Sequence, residues 1–148
     1  MITEDYVSFE IAKLLKEKGF DHICLMWYID SPNTISEKTG KPIPPYFTSL
    51  TDEDGNYYYN TERETFEYSA PTLQMTMKWL REKYNIYIAV NIGADVDNPD
   101  YIFYHPTIIT FIPHKSITYL DGILQNDEYH TYEQAVEASI NYCLTNLI

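Results

Sequence analysis

The sequence predicts an α+β fold, one domain over residues 1–148. Three segments place apolar residues at helical spacing, which predicts three amphipathic helices. Between them lie short β-branched and aromatic runs bounded by turn residues, which predict strands. Helices and strands do not alternate strictly, so a layered α+β arrangement fits better than a doubly wound sheet. The expected order is α-β-β-β-α-β-β-α, a mostly antiparallel sheet packed by three helices. A length of 148 residues, 45% of them hydrophobic, buries a core without a metal or disulfide staple.

The first helix is predicted from about Thr3 to Lys18. Thr3 is a suitable N-cap, Gly19 suits a left-handed stop, and Val7, Ile11, Leu14 and Leu15 share a face. Ile23 to Ile29 is apolar on both faces and predicts a central strand. Asp30 to Pro45 holds four of the eight prolines. It reads as a flexible Pro-rich loop at about 30–45. Tyr46–Leu50 and Asn56–Asn60 flank Asp52-Glu53-Asp54-Gly55, the best short hairpin signal in the chain. The second helix is predicted to start near Ser69-Ala70-Pro71, with Leu73, Met77, Leu80 and Tyr84 as its stripe and Trp79 widening it. Asn85–Ile92 and Tyr101–Ile112 read as strands, and Pro106 marks a bulge or an edge in the latter. Tyr119–Gly122 suggests a short strand or turn. Thr131 caps the last helix, with Tyr132, Val136, Ile140, Cys143 and Leu147 facing inward.

The formal charge is −12, from 22 acids against 10 bases. Such a surface repels phosphates and anionic membranes at long range, so no direct phosphate-backbone nucleic-acid binding and no membrane partner are expected. The amino-terminal residues lack the features of a secretory signal, and the longest apolar run is far shorter than a membrane helix. Cytoplasm is the expected compartment. Cys24 and Cys143 sit on apolar positions with no basic neighbour, which predicts buried, reduced, inert thiols.

Catalytic patterns are missing. No glycine-rich phosphate cradle, zinc spacing or nucleophile elbow occurs. The acidic run from Asp52 resembles a calcium loop but lacks acids at the first and last ligand positions. No cofactor and no metal are therefore expected. The oddities that remain are the acidity and the 15 tyrosines. They coincide in the hairpin, so Asp52, Glu53, Asp54, Tyr57, Tyr58 and Tyr59 are the candidate interaction residues. Tyrosine suits an interface because a rigid ring buries area and keeps a polar tip. An edge strand of three tyrosines needs cover. The Pro-rich loop or a second copy would supply it, with a homodimer favoured.

Two stretches, Ala70–Met75 with Lys78–Glu82 and Asn85–Ile88, and Thr131–Ala138 with Tyr142–Leu144, resemble segments of a family of small proteins from gut anaerobic bacteria and their phages and mobile elements. Tyr6–Glu10 and Gly19–Asp21 are similar to it too. No activity is assigned to that family. The resemblance implies a small cytosolic accessory protein, phage-derived or carried by a mobile element. Three functions remain open. The first is a non-enzymatic binding protein with a protein partner. The second is an acidic inhibitor of the nucleic-acid-mimic or immunity type. The third is a small enzyme using paired carboxylates.

Overall fold

The computed structural model describes residues 3–31, 34–60, 64–122, 124 and 128–148. The elements run α1 (Phe9–Glu17), β1 (Met26–Ile29), β2 (Tyr46–Ser49), β3 (Glu67–Ala70), α2 (Leu73–Tyr84), β4 (Ile86–Ala94), β5 (Ile102–Ile112), β6 (Ser116–Leu120) and α3 (Tyr132–Asn146). Three helices and two antiparallel three-stranded sheets make this an α+β protein, as the sequence predicts. The order gains one strand, β6, where the sequence offers only a short strand or turn. The chain divides into two compact units, Tyr6–Pro71 and Met1–Asp5 with Thr72–Ile148.

In the Tyr6–Pro71 unit, α1 starts at Phe9 with Ser8 as N-cap, later than the predicted Thr3. Val7 lies just before it, and its N–H bonds the Pro71 carbonyl at 3.0 Å. That bond is incompatible with a helix beginning upstream. The helix ends as predicted. Gly19 takes φ 76°, its N–H reaches the Lys16 carbonyl, and the Phe20 N–H reaches the Leu15 carbonyl. These two bonds form a Schellman stop, closed by the apolar pair Leu15 and Phe20, both buried.

β1 is central, in the order β2-β1-β3. Trp27 is fully buried, and its indole N–H donates to the Cys24 carbonyl at 3.1 Å. The third strand is Glu67–Ala70, which pairs with β1 from Ile29↔Glu67 to Met26↔Ala70. The predicted strand at Asn56–Asn60 does not form: that segment carries no ladder. Buried Asn60 explains part of this. Its amide donates to the Phe20 carbonyl at 3.0 Å and accepts from the Ser69 N–H at 3.3 Å, tying the segment to β3 by a side chain rather than by a strand.

Many aromatic residues of this unit build one layer. Phe47, Tyr28 and Tyr68 lie side by side across β2, β1 and β3. Phe9 packs edge-on to Tyr28 and to Tyr68, each at 5.6 Å, and Tyr6 to Phe47 at 5.3 Å. These are the edge-to-face contacts aromatic quadrupoles favour. Within the Pro-rich loop, Ile35 bridges Pro42, and the Ser36 N–H donates to the Lys41 carbonyl at 2.9 Å. Gly40 closes that turn at φ 62°. Pro32 and Asn33 lie outside the described residues.

In the other unit, α2 is capped by Thr72, whose hydroxyl accepts from the Met75 N–H at 3.1 Å. The predicted start at Ser69 belongs to β3 instead. Asn85 ends the helix in the left-handed conformation, φ 55°. Thr131 caps α3 as predicted, accepting from the Gln134 N–H at 3.1 Å. The helices α2 and α3 pack on the sheet β4-β5-β6 and on each other. Leu80, Ile86, Ile108, Val136, Ile140, Cys143 and Leu144 form the core there.

Pro106 pairs with Val90 in an unbroken β4–β5 register, so it marks no bulge. Tyr104 exchanges both backbone bonds with Tyr129, so its N–H points away from β4. Two residues on, the Pro106 nitrogen points the same way. There β5 has run beyond β6, whose pairing ends at Ile108↔Leu120. Among the described residues the strand is locally an edge, and the missing N–H interrupts nothing there.

Candidate interaction surface

The predicted acidic turn forms. The Asp52 N–H donates to the Asn56 carbonyl at 2.9 Å, and Gly55 takes φ 82°. The Asp52 carboxylate is occupied internally. It accepts from the Asn56 N–H at 2.7 Å, the Asp54 N–H at 3.0 Å and the Asn56 side-chain amide at 3.1 Å. The Asn56 backbone N–H, followed by its side chain, holds the Asp52 carboxyl below its ordinary value. Asp52 thus shapes the turn, and Glu53 and Asp54 are its exposed acids. Tyr57 and Tyr59 are exposed and Tyr58 is half-buried. The six predicted residues stay together by sequence adjacency. No strand edge carries the three tyrosines.

Among the described residues, no group of three or more His, Cys, Asp and Glu side chains could hold a metal ion. Cys24 and Cys143 are buried and unbridged. Burial pushes both thiols up to about 12, with the Ser69 side chain pulling Cys24 weakly the other way. Thiolate chemistry near neutral pH has no support from such sites.

Two clefts belong to the unit with α2 and α3. One, about 210 Å³, is lined by Thr3, Glu4, Asp5, Thr72, Leu73, Gln74, Tyr132 and Glu133. It is smaller than ordinary ligand pockets, which start at about 300 Å³. It lies at the amino-terminal ends of two helices, and its acids suit the positive helix ends there. The other, about 440 Å³, is lined by Leu124, Tyr129, Ala138, Asn141, Tyr142, Thr145 and Asn146, without an acid, a base or a thiol.

The feature the sequence reading missed is the outer face of β4-β5-β6. Side chains alternate across a sheet, and directly opposed residues share a face. Ile86 and Ile108 are buried, and the Tyr104 ring meets Tyr132 of α3, so the even-numbered side chains lie on the helix side of the sheet, where Ile92, Ile102 and Ile112 near the strand ends stay exposed. The odd-numbered ones point the other way. Tyr87, Ile109 and Tyr119 form one row across all three strands, and Phe111 with Ile117 forms the next. Tyr87 is 41% exposed, Ile117 56% and Tyr119 64%. Further along, a Cβ on Gly93 would run into the Phe103 ring, so the glycine makes room for an aromatic lying across it. His105 and Asn91 share the face. No Asp, Glu, Lys or Arg lies among these paired positions of the face. The signal available in the sequence was the alternation Phe103, His105, Thr107, Ile109, Phe111. It is masked because the intervening positions are equally apolar.

The fold and this surface define an α+β protein with one sheet covered by helices on one face only. No family model, curated protein or solved structure matches the chain. No helix among the described residues is long and apolar enough to cross a membrane.

Proposed function

We propose that this chain is a non-enzymatic binding protein that engages a protein partner through the outer face of β4-β5-β6. The observation that carries this reading is the contiguous row Tyr87–Ile109–Tyr119 with Phe111–Ile117 beside it, left exposed by a sheet with helices on one side. Exposed aromatic and aliphatic groups of this kind suit the buried centre of an interface, where charge is depleted and tyrosine enriched. A cytosolic accessory role, in a phage or mobile-element setting, is compatible with this mode of action. The candidate residues Glu53, Asp54, Tyr57 and Tyr59 offer a second contact region of different chemistry.

The acidic-inhibitor reading rests on the charge of −12 and the exposed acids at the turn. The outer face carries none of that charge, so salt separates the two. Binding through the sheet face persists at high salt, whereas an acidic mimic loses affinity steeply as salt rises. The test is partner binding across a salt series, with Tyr119→Glu and Glu53→Lys/Asp54→Lys as the two variants. Loss only in Tyr119→Glu supports the sheet face. Loss only in the lysine variant, with steep salt dependence, favours the acidic surface.

A further inference from the structure

We propose that β6 is a self-complementary edge through which two copies of this chain join their sheets into one of six strands. This inference stands apart from the partner reading above, because it uses the edge of the sheet rather than its face.

Among the described residues β6 pairs with β5 alone. Ser116 to Tyr119 are exposed, and the strand Ser-Ile-Thr-Tyr-Leu has no proline, no charge and no bulge in its register. Natural edges are usually blunted by such devices. The edge strand β2 is preceded by Pro44 and Pro45; β6 has no such guard. Its charges sit just outside both ends, Lys115 before and Asp121 after, both exposed.

The backbone phase fixes which groups are available. Tyr104 directs its N–H and carbonyl toward Tyr129, on the side of β5 away from β4. Four residues on, Ile108 therefore points its own toward Leu120. Leu120, Thr118 and Ser116 thus spend their backbone bonds on β5. Ile117 and Tyr119 direct theirs outward, at the open edge.

Two antiparallel edges related by a two-fold axis normal to the sheet keep odd-numbered residues opposite odd-numbered ones. One such register pairs the whole strand without overhang, centred on Thr118. Ile117 then faces Tyr119 of the second copy, and the two exchange both backbone bonds; symmetry repeats this. Lys115 falls opposite Asp121 of the second copy, again twice. Shifting the centre to Ile117 or Tyr119 leaves the strand ends unpaired and places Lys115 or Asp121 against an uncharged residue. Charge therefore selects the copy's own edge as partner, and its register.

Sedimentation velocity over a concentration series tests the proposal. The wild-type chain dimerises. Lys115→Asp and Asp121→Lys each weaken the dimer by about tenfold, since either turns two attractions into two repulsions. The double variant returns to within about threefold of wild type. A chain that stays monomeric throughout, single reversals without effect, or a double variant no better than the singles would each overturn the proposal.

Cross-linking reads the register. Thr118 lies opposite its own copy at about 4.5 Å between Cα atoms, inside the disulfide range. Thr118→Cys becomes a disulfide-linked dimer under mild oxidation. Tyr119→Cys does not, because it faces Ile117. Cys24 and Cys143 are buried and do not compete. Cross-linking of Tyr119→Cys but not of Thr118→Cys would overturn the register.

Discussion

Removing the Asn60 side chain should destabilise the Tyr6–Pro71 unit far more than its loop position suggests. Asn60 is 1% exposed, yet it lies outside every strand and α-helix. Its amide nitrogen donates to the carbonyl of Phe20, itself buried, and its oxygen accepts from the N–H of Ser69, also buried. Asn60→Ala deletes both bonds in a site away from water. Losing a buried hydrogen-bond partner costs about 1–3 kcal/mol, so the two losses together should cost about 2–6 kcal/mol. That is a large part of the ~5–15 kcal/mol that holds an ordinary domain folded. Asn60→Asp should not rescue it. The new carboxylate still accepts from Ser69, but its second oxygen confronts the Phe20 carbonyl in a buried site. Urea unfolding followed by the fluorescence of Trp27, in the same unit, measures both variants. A midpoint shift equivalent to under ~1 kcal/mol, with unchanged m, would refute the assignment of Asn60 as a side-chain staple.

Trp79 is 5% exposed, and Trp79→Ala should cost about 3–5 kcal/mol in urea unfolding; an unchanged midpoint would place the ring outside the core. With both thiols pushed up to about 12, neither cysteine should react with a disulfide reagent in the native protein at pH 8, and both should react on unfolding. Rapid labelling of either would contradict their burial. The Asp52 carboxyl is held below its ordinary value, so its contribution to the turn is present above that value and fades as pH falls through the lower, folded one. The Asn56 amide shift should therefore titrate with a midpoint below 3.8, and a midpoint at or above 3.8 would contradict the bonding drawn at the turn.

The legible parts of the fold were those decided locally. Gly19 stops α1, Thr131 starts α3, and the Asp-Gly turn forms, because each depends on a few adjacent backbone groups. The period of Val136, Ile140 and Cys143 places α3 for the same reason. Strand partners were not legible, because pairing is a competition between distant segments. Tyr57–Tyr59 has stronger β-propensity than Glu67–Ala70, yet the slot beside β1 goes to Glu67–Ala70. Ser69-Ala70-Pro71 also mimics a helix start, while the true cap, Thr72, follows immediately. The strand β6 was hidden by its turn. His114 takes φ 61° at the position where glycine or asparagine would announce a hairpin. With β6 hidden, the outer sheet face was hidden too, since Ile117 and Tyr119, which complete its two apolar rows, lie on that strand.

The proposed partner-binding surface is the uncharged outer face of β4-β5-β6. Affinity capture from the source cell's lysate at high salt, with wild type alongside an Ile117→Glu/Tyr119→Glu variant, tests it most directly. Both side chains are over half exposed, so the variant should keep the fold, as circular dichroism would show. The expected result is a protein retained by wild type and lost by the variant. Equal retention by both, or a partner released by salt alone, would contradict it.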